Sequence, residues 1–441
     1  MKRKQLASFL LSLLLAASLI ACGGNGRAGE TTAEKRGSES QSGESSKPGE
    51  ESGKSDAEEQ KASSDEKDYA ALLEKARGSE LSFYGWGGDE RLNNWLDGYF
   101  SDRLKEKYDI RLKRVGMDIE TILSQLSGEV GSGKKDGSID MIWINGENFK
   151  TAKEGKLLYG PFAEELPNFK SYIDSEDRET SYDFGFPIEG YEAPYGKAQL
   201  ILYNDSAVTP ETPKNTEELL AFAEKYKGKV SYPALPDFTG SAFVRNIIYD
   251  ICGYEQFQNM PEDKETVQKA VEPAMEYLRS LNPYLWNEGK SFPDKEPTMK
   301  NMFADGELVM GMSYGAFSVA TNIEDGSFPE STRSFQFEKG TIGNTNYIAI
   351  AVNSQHKEAA EVAINEMMSP EVQAERYKTL RTIPVVDYQK LNAEEKQLFD
   401  SVDVGKGVLS QEELLSKRLP EMPAGLVPII EEIWAEEVPG K

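Results

Sequence analysis

Between Leu81 and Gly146, short apolar runs take turns with stretches of helical spacing, and this alternation leaves few folds open to the chain. Leu81–Tyr84 reads as a strand, followed by a helix from about Asp89 to Lys107. "IRLKRVGM" alternates as a strand does. Next comes a helix over "DIETILSQLSGEVGSG", with Asp118 as its N-cap. "SIDMIWING", Ser138–Gly146, is a buried strand ending in Trp143 and Asn145. Strands and helices in this succession predict a parallel α/β layer.

The same style continues. "KAQLILYND", Lys197–Asp205, is a strand that leads to a helix whose Asn215 and Glu218 form a capping-box pattern. "VSYPALPDFTGSAFVRNIIYDICGY" predicts a short strand, a loop with Pro236–Gly240 and an apolar helix. A helix, a glycine turn and a strand over Leu308–Met312 follow. "TNYIAIAVNSQ" is a further strand, ahead of two helices, the second started by Ser369-Pro370.

Ahead of this body stand two segments of another kind. Lys2, Arg3 and Lys4 precede an apolar run, Leu6 to Ala21, of roughly 16 residues, short of the ~20 a bilayer-spanning helix needs. "LIAC", Leu19–Cys22, resembles a bacterial lipobox, which implies cleavage before Cys22 and lipid on its sulfur. An uncleaved anchor is the alternative, and either places the body outside the cytoplasmic membrane. Residues 22–68 carry almost nothing apolar ahead of Tyr-Ala-Ala-Leu-Leu, so this stretch is expected to be a disordered tether. Its root-mean-square reach as a flexible coil is about 35–40 Å.

Composition removes several functions. A formal charge of −25, from 75 acidic against 50 basic residues, argues against nucleic acid or anionic lipid as partner. Besides Cys22 the only cysteine is Cys252, and the only histidine is His356. Zinc centres and histidine-based triads are therefore not expected, nor is any cofactor. Phosphate-binding Gly-Lys-Ser/Thr loops and EF-hand spacing do not occur either. A glycosidase-type carboxylate pair needs no local motif and stays open.

"LSFYGWGGDERLNNW" poses a question of its own: Tyr84 and Trp86 stand among three glycines at the end of a strand. Such a segment is either a tight turn with a ring in the core or a ligand platform at a strand's carboxyl end.

Three stretches fall in an order that carries a resemblance: "LILYNDSAVTPETPKNTEEL", "FADGE" leading to "LVMGMSYGAFSVATN", and "YIAIAVNSQHKEAAEVAINEMMSPEVQ". Together, behind a lipobox and tether, they resemble extracellular solute-binding proteins of ABC transporters. The class is the two-lobed one that includes maltose, iron, spermidine and thiamine binders. "FYGWGGDERLNNW" and "IDMIWINGENFKTAKEGKLLYGPF" are similar to a thiamine-type subgroup. The resemblance implies a type II periplasmic-binding-protein-like fold. Each lobe is then a mostly parallel sheet flanked by helices, joined by hinge crossings. Expected divisions are a signal peptide over 1–21, the tether over 22–68, one lobe over 69–202 plus 341–382, and another over 203–340 plus 383–441. Crossings are expected near Leu200–Asn204 and at "GTIGNTNY", Gly340–Tyr347, whose small residues suit a hinge.

The resemblance further implies a cleft where four loops meet: "YGWGGDE", "WINGEN", "DFTGSAF" and "SYGAF". Tyr84 and Trp86 then face a solute, with Trp143, Phe238, Tyr314 and Phe317 as companion aromatics. Asn145 and Asn344 to Asn346, Asn346 foremost, offer donors and acceptors. Thr239 and Ser241 begin a helix, where they either present backbone N–H groups to an anion or cap the helix. Asp89 and Glu147 suit an organic cation such as thiamine, and Lys197 and Arg245 an anion, so the sign of the solute stays open. The implied function is capture of a small molecule, without catalysis, for an ABC permease and its ATPase. Such a receptor is a monomer on the outer face of the cell membrane, held through Cys22. An extracellular carbohydrate-active enzyme and a surface adhesin or sensor are the alternatives.

Overall fold

The computed structural model describes residues 68–441. The leader, Cys22 and nearly all of the tether lie outside them. A helix over 68–76 leads into β1 (Glu80–Gly85), β2 (Arg111–Gly116) and β3 (Met141–Ile144). β1 pairs in parallel with both neighbours, as the strand–helix alternation predicts. The helix after β1 starts at Glu90, passes through one π-helical turn at Leu96–Phe100, and resumes over Ser101–Tyr108.

β4 (Leu158–Tyr159) and a small hairpin, β5 (Tyr182–Asp183) with β6 (Phe186–Pro187), precede β7 (Glu192–Gln199). Past Leu200 the chain enters β8 (Ile201–Asp205), which lies between β9 (Met310–Ser313) and β10 (Thr332–Phe335). β11 (Thr341–Ala351) returns as the longest strand, and β12 (Arg418–Leu419) borders its start. The resulting seven-stranded sheet has the order β12-β11-β3-β1-β2, with β4 and β7 also on β11.

Parallel order is thus confined to the first sheet's β1–β3 and the short β11–β12 contact. The second sheet, β10-β8-β9, is antiparallel throughout. Its central strand continues directly from β7, so it runs in the direction that the antiparallel β7–β11 ribbon imposes. "GTIGNTNY" enters that ribbon at Thr341, and the pairing shifts register between Asn346 and Tyr347.

Alternation along β1, β3 and β11 sends side chains into two separate cores. Phe83, Met141, Ile348 and Ile350 pack on one face, and Tyr84, Ile142, Tyr347 and Ala349 on the other. A third, larger core gathers the helices Phe238–Cys252, Lys264–Leu281 and Val427–Glu437. Val267, Val271, Met275 and Leu278 line one stripe of the middle helix and are fully buried, each contributing about 1.5–3 kcal/mol.

Residues 387–400 pack on the helix Pro370–Leu380 and on Tyr172. Leu391 and Phe399 bury against Ala374 and Tyr172, and Asp387 N–H bonds the Tyr172 carbonyl at 2.7 Å. Apolar contact decides this placement. Among the described residues no helix is long and apolar enough to cross a membrane.

Candidate functional site

The glycines after β1 each admit a neighbour. A Cβ at Gly85 would stand 3.1 Å from the Trp143 Cβ, and one at Gly87 3.0 Å from the Gly116 Cα. At Gly88 it would lie 2.2 Å from the Trp86 ring. The loop therefore lets an indole fold over its own backbone and stay 47 % exposed. Trp86 is on the surface. Tyr84 is not: it packs in the core beside Ile122 and Leu126, which removes it from any solute-facing set. Asp89 caps the following helix, accepting from Arg91 N–H at 2.9 Å and Leu92 N–H at 3.1 Å.

Beyond β3 the chain presents Trp143, Asn145 and Glu147. Asn346 on β11 accepts from Trp143 Nε1–H at 3.3 Å and from Asn145 Nδ2–H at 3.5 Å. Trp143 also stands edge-on to Tyr195, 5.8 Å between centroids. Glu147 is half-buried. Burial pushes its carboxyl up to about 7, its own backbone N–H and Arg245 pull it back, and Glu431 and Glu421 add to the rise.

The opposing wall is the helix Phe238–Cys252. Its cap is Asp237, which accepts from Gly240 N–H at 2.9 Å, so Thr239 and Ser241 do not serve as caps. Ser241 is spent on side chains. Its hydroxyl donates to Glu431 at 2.6 Å and accepts from Arg245 Nη1 at 2.5 Å. Arg245 places its fork on Glu421, Nε and Nη2 each 3.2 Å from a carboxylate oxygen, with both side chains buried. Tyr314 donates to the same carboxylate at 2.5 Å and carries Phe238 edge-on at 4.8 Å. Phe317 is fully buried with Ile201, Tyr203 and Tyr377, which leaves it no face for a solute. The carboxyl of Glu296, at the start of the helix Glu296–Ala304, rises to about 7 through burial and then Asp237, with Asp89 adding to the rise.

Between the two walls lies the β5–β6 hairpin. Its two-residue loop has positive φ at both positions, 43° at Phe184 and 72° at Gly185, as a type I′ turn requires. A bulky aromatic is rare there. The ring of Phe184 is buried in the core of the Phe238–Cys252 helix, 6.5 Å from Phe238, with Arg245 over it at 5.9 Å. One residue earlier, Asp183 accepts the Gly146 N–H, and its buried carboxyl is raised well above the usual range. Asp183, Phe184, Asn344, Tyr347 and Glu421 border a cavity of about 30 Å³.

The geometry thus brings Trp143, Asn145 and Asn346 into one cluster. It brings Glu147, Ser241, Tyr314 and Phe238 into another, through Arg245 and Glu421. Trp86 and Asp89 stand apart on the first loop, linked to the second wall by the mutual repulsion of Asp89 and Glu296. Sequence reasoning missed Asp183, Phe184, Glu296, Glu421 and Glu431. A carboxylate set between Pro420 and Pro423 in a run of apolar residues was the signal available for Glu421. Among the described residues no group of three or more His, Cys, Asp or Glu could hold a metal ion.

Comparison with known proteins agrees with this architecture. Residues 100–396 match the family described as bacterial extracellular solute-binding proteins. Protein YnjB of Escherichia coli K12 is 36 % identical over 308 residues, 69 % of this chain and 79 % of that protein. An ABC transporter protein from Clostridium perfringens superposes with a TM-score of 0.59 at 19 % identity, covering 81 % of this chain and 99 % of that one. The spermidine/putrescine substrate-binding protein PotD of Streptococcus pneumoniae gives 0.59 at 15 % identity, covering 81 % and 98 %. The fold is the two-lobed, type II periplasmic-binding-protein fold.

Proposed function

This chain belongs to the bacterial extracellular solute-binding protein family, and from that premise we propose that it captures an organic cation of the thiamine kind between its lobes for an ABC importer, with no chemistry of its own. One observation carries the sign of the charge. Glu147, Glu421 and Glu431 crowd around Arg245, Asp183 stands beside Glu147 and Glu421, and burial lifts the Glu147, Asp183 and Glu431 carboxyls. Glu296, beside Asp237 and Asp89, is lifted in the same way. Carboxyl groups held protonated by burial are ready to ionise against an incoming cation. The exposed indole of Trp86 adds a face for it, a cation–π contact worth about 0.5–2 kcal/mol.

In this reading the lobes are 69–202 with 341–400, and 203–340 with 401–441, and the β7–β11 ribbon joins them. Solute favours the closed arrangement through contacts that only closure completes. Replacing Trp86 by alanine is expected to weaken binding tenfold or more with an unchanged melting temperature. Calorimetric titration with thiamine, or with the solute that native mass spectrometry finds on the purified protein, measures this. Parental affinity in Trp86→Ala would take the indole out of the site.

Lipid on Cys22 holds the receptor at the outer face of the membrane in this reading. Cys22→Ser is then expected to move the protein from the membrane fraction into the medium or periplasm, as an immunoblot of cell fractions would read. Retention on the membrane would show an uncleaved anchor.

A further inference from the structure

Arg376 is a buried cation that lacks a counter-ion among the described residues. It lies on the helix Pro370–Leu380 and is 3 % exposed, and neither its Nε–H nor its Nη1–H meets an acceptor. Its charge rests over the rings of Tyr195 at 4.6 Å and Trp95 at 5.7 Å. Rings of this kind attract the charge but leave directed N–H groups unsatisfied, and buried polar groups in native proteins are normally bonded. Trp95 Nε1–H, beside it, is also buried without an acceptor.

The surroundings of this guanidinium belong to the ribbon between the lobes. A Cβ at Gly196 would meet Arg376 Nη1 at 2.8 Å and Nη2 at 3.2 Å. Gly196 faces Asn346 across the ribbon, and Ala198 faces Asn344. Paired residues of an antiparallel ribbon project to one side, so Arg376 shares its side with Asn344 and Asn346. Asn344 is 3 % exposed, and neither atom of its amide has a partner. Two buried side chains with unspent donors therefore lie on one side of the ribbon. Their β7 neighbours there, a glycine and an alanine, are small.

We propose that this side of the β7–β11 ribbon is an anion subsite, where a carboxylate or phosphate group of the captured solute takes the free N–H groups of Arg376 and Asn344. The inference rests on the solute-capture reading and makes the solute one that carries both signs. Its cationic part meets Trp86 and Glu147, and its anionic part reaches the ribbon.

Inorganic phosphate and acetate serve as probes, by thermal unfolding and calorimetry of the full chain. One of them, at ten times its dissociation constant, should raise the wild-type melting temperature by about 2 °C, and the larger response identifies the anion class. Arg376→Met should be at least as stable as wild type without anion, because a buried unpaired charge is gone, and should show no anion shift. Arg376→Lys and Asn344→Ala should fold normally with a reduced shift, and they decide the matter if the methionine variant does not fold. A purely structural role would leave the anion response of Arg376→Lys and Asn344→Ala intact, and that result overturns the subsite. No anion response in wild type overturns it as well. Thiamine titrations run alongside separate the two ideas. Binding of thiamine by wild type with no anion effect ends only the subsite, whereas failure of thiamine and of both anions removes the proposed solute class too.

Discussion

Glu421→Ala is expected to lose about 3–5 kcal/mol of stability, at every pH between 5 and 8. Its carboxylate holds both arms of the Arg245 fork and the Tyr314 hydroxyl inside a dry wall. Removing it strands a guanidinium that has no means of discharging, since arginine keeps its proton throughout this range. Arg245→Met behaves differently. It removes the charge that holds the Glu147 and Glu431 carboxyls down against their burial, so its loss should be small at pH 5 and large at pH 8. Urea unfolding followed by circular dichroism at the two pH values measures both variants. Equal losses for Arg245→Met at pH 5 and pH 8 would contradict this account of the cluster.

Stability of the solute-free protein should fall as pH rises from 5 to 8. Burial lifts Glu147 and Glu296 from the ordinary glutamate value of 4.5 to about 7. Across that window the folded state keeps protons that the unfolded chain has released. Their contribution is complete below about 4.5 and is lost as pH passes through about 7. Glu129 has the opposite sign: burial would raise it, but bonds from Lys134 and Ser138 hold it near 2. Its stabilisation is lost only in acid, outside this window. Each lifted glutamate costs the folded state on the order of 2–3 kcal/mol once ionised. Glu147→Gln and Glu296→Gln should each flatten the slope of urea midpoint against pH. Affinity for thiamine should run the other way, rising tenfold or more from pH 5 to pH 8 as Glu147 ionises against the bound charge. A midpoint that climbs over this range, or an affinity indifferent to it, sinks the assignment.

The first sheet was legible because its strands and helices bury residues at their own periods, and Phe83, Ile142 and Ile122 sit where those periods put them. Long-range pairing leaves no such trace. Arg245 and Glu421 are 176 residues apart, and neither neighbourhood announces the other. Arg376, in a helix that also carries Lys378, reads as surface charge until its burial is seen. Some small residues have a cause that lies outside the local chain. At Gly343 a Cβ would strike the Arg418 guanidinium at 2.3 Å. Gly340 needs φ of 103° and lies against the Lys417 carbonyl. The exposure of Trp86 is a local property, since a large ring beside three glycines can fold over its own backbone.

Phe184 has a kinetic consequence. Its ring is seated in the core of the Phe238–Cys252 helix, and its backbone is held in a conformation few aromatics adopt. In the capture reading, a solute that passes beside this hairpin waits for that ring to withdraw. The observed rate of uptake should level off at high solute concentration, at a ceiling set by how often the hairpin lets go and not by diffusion.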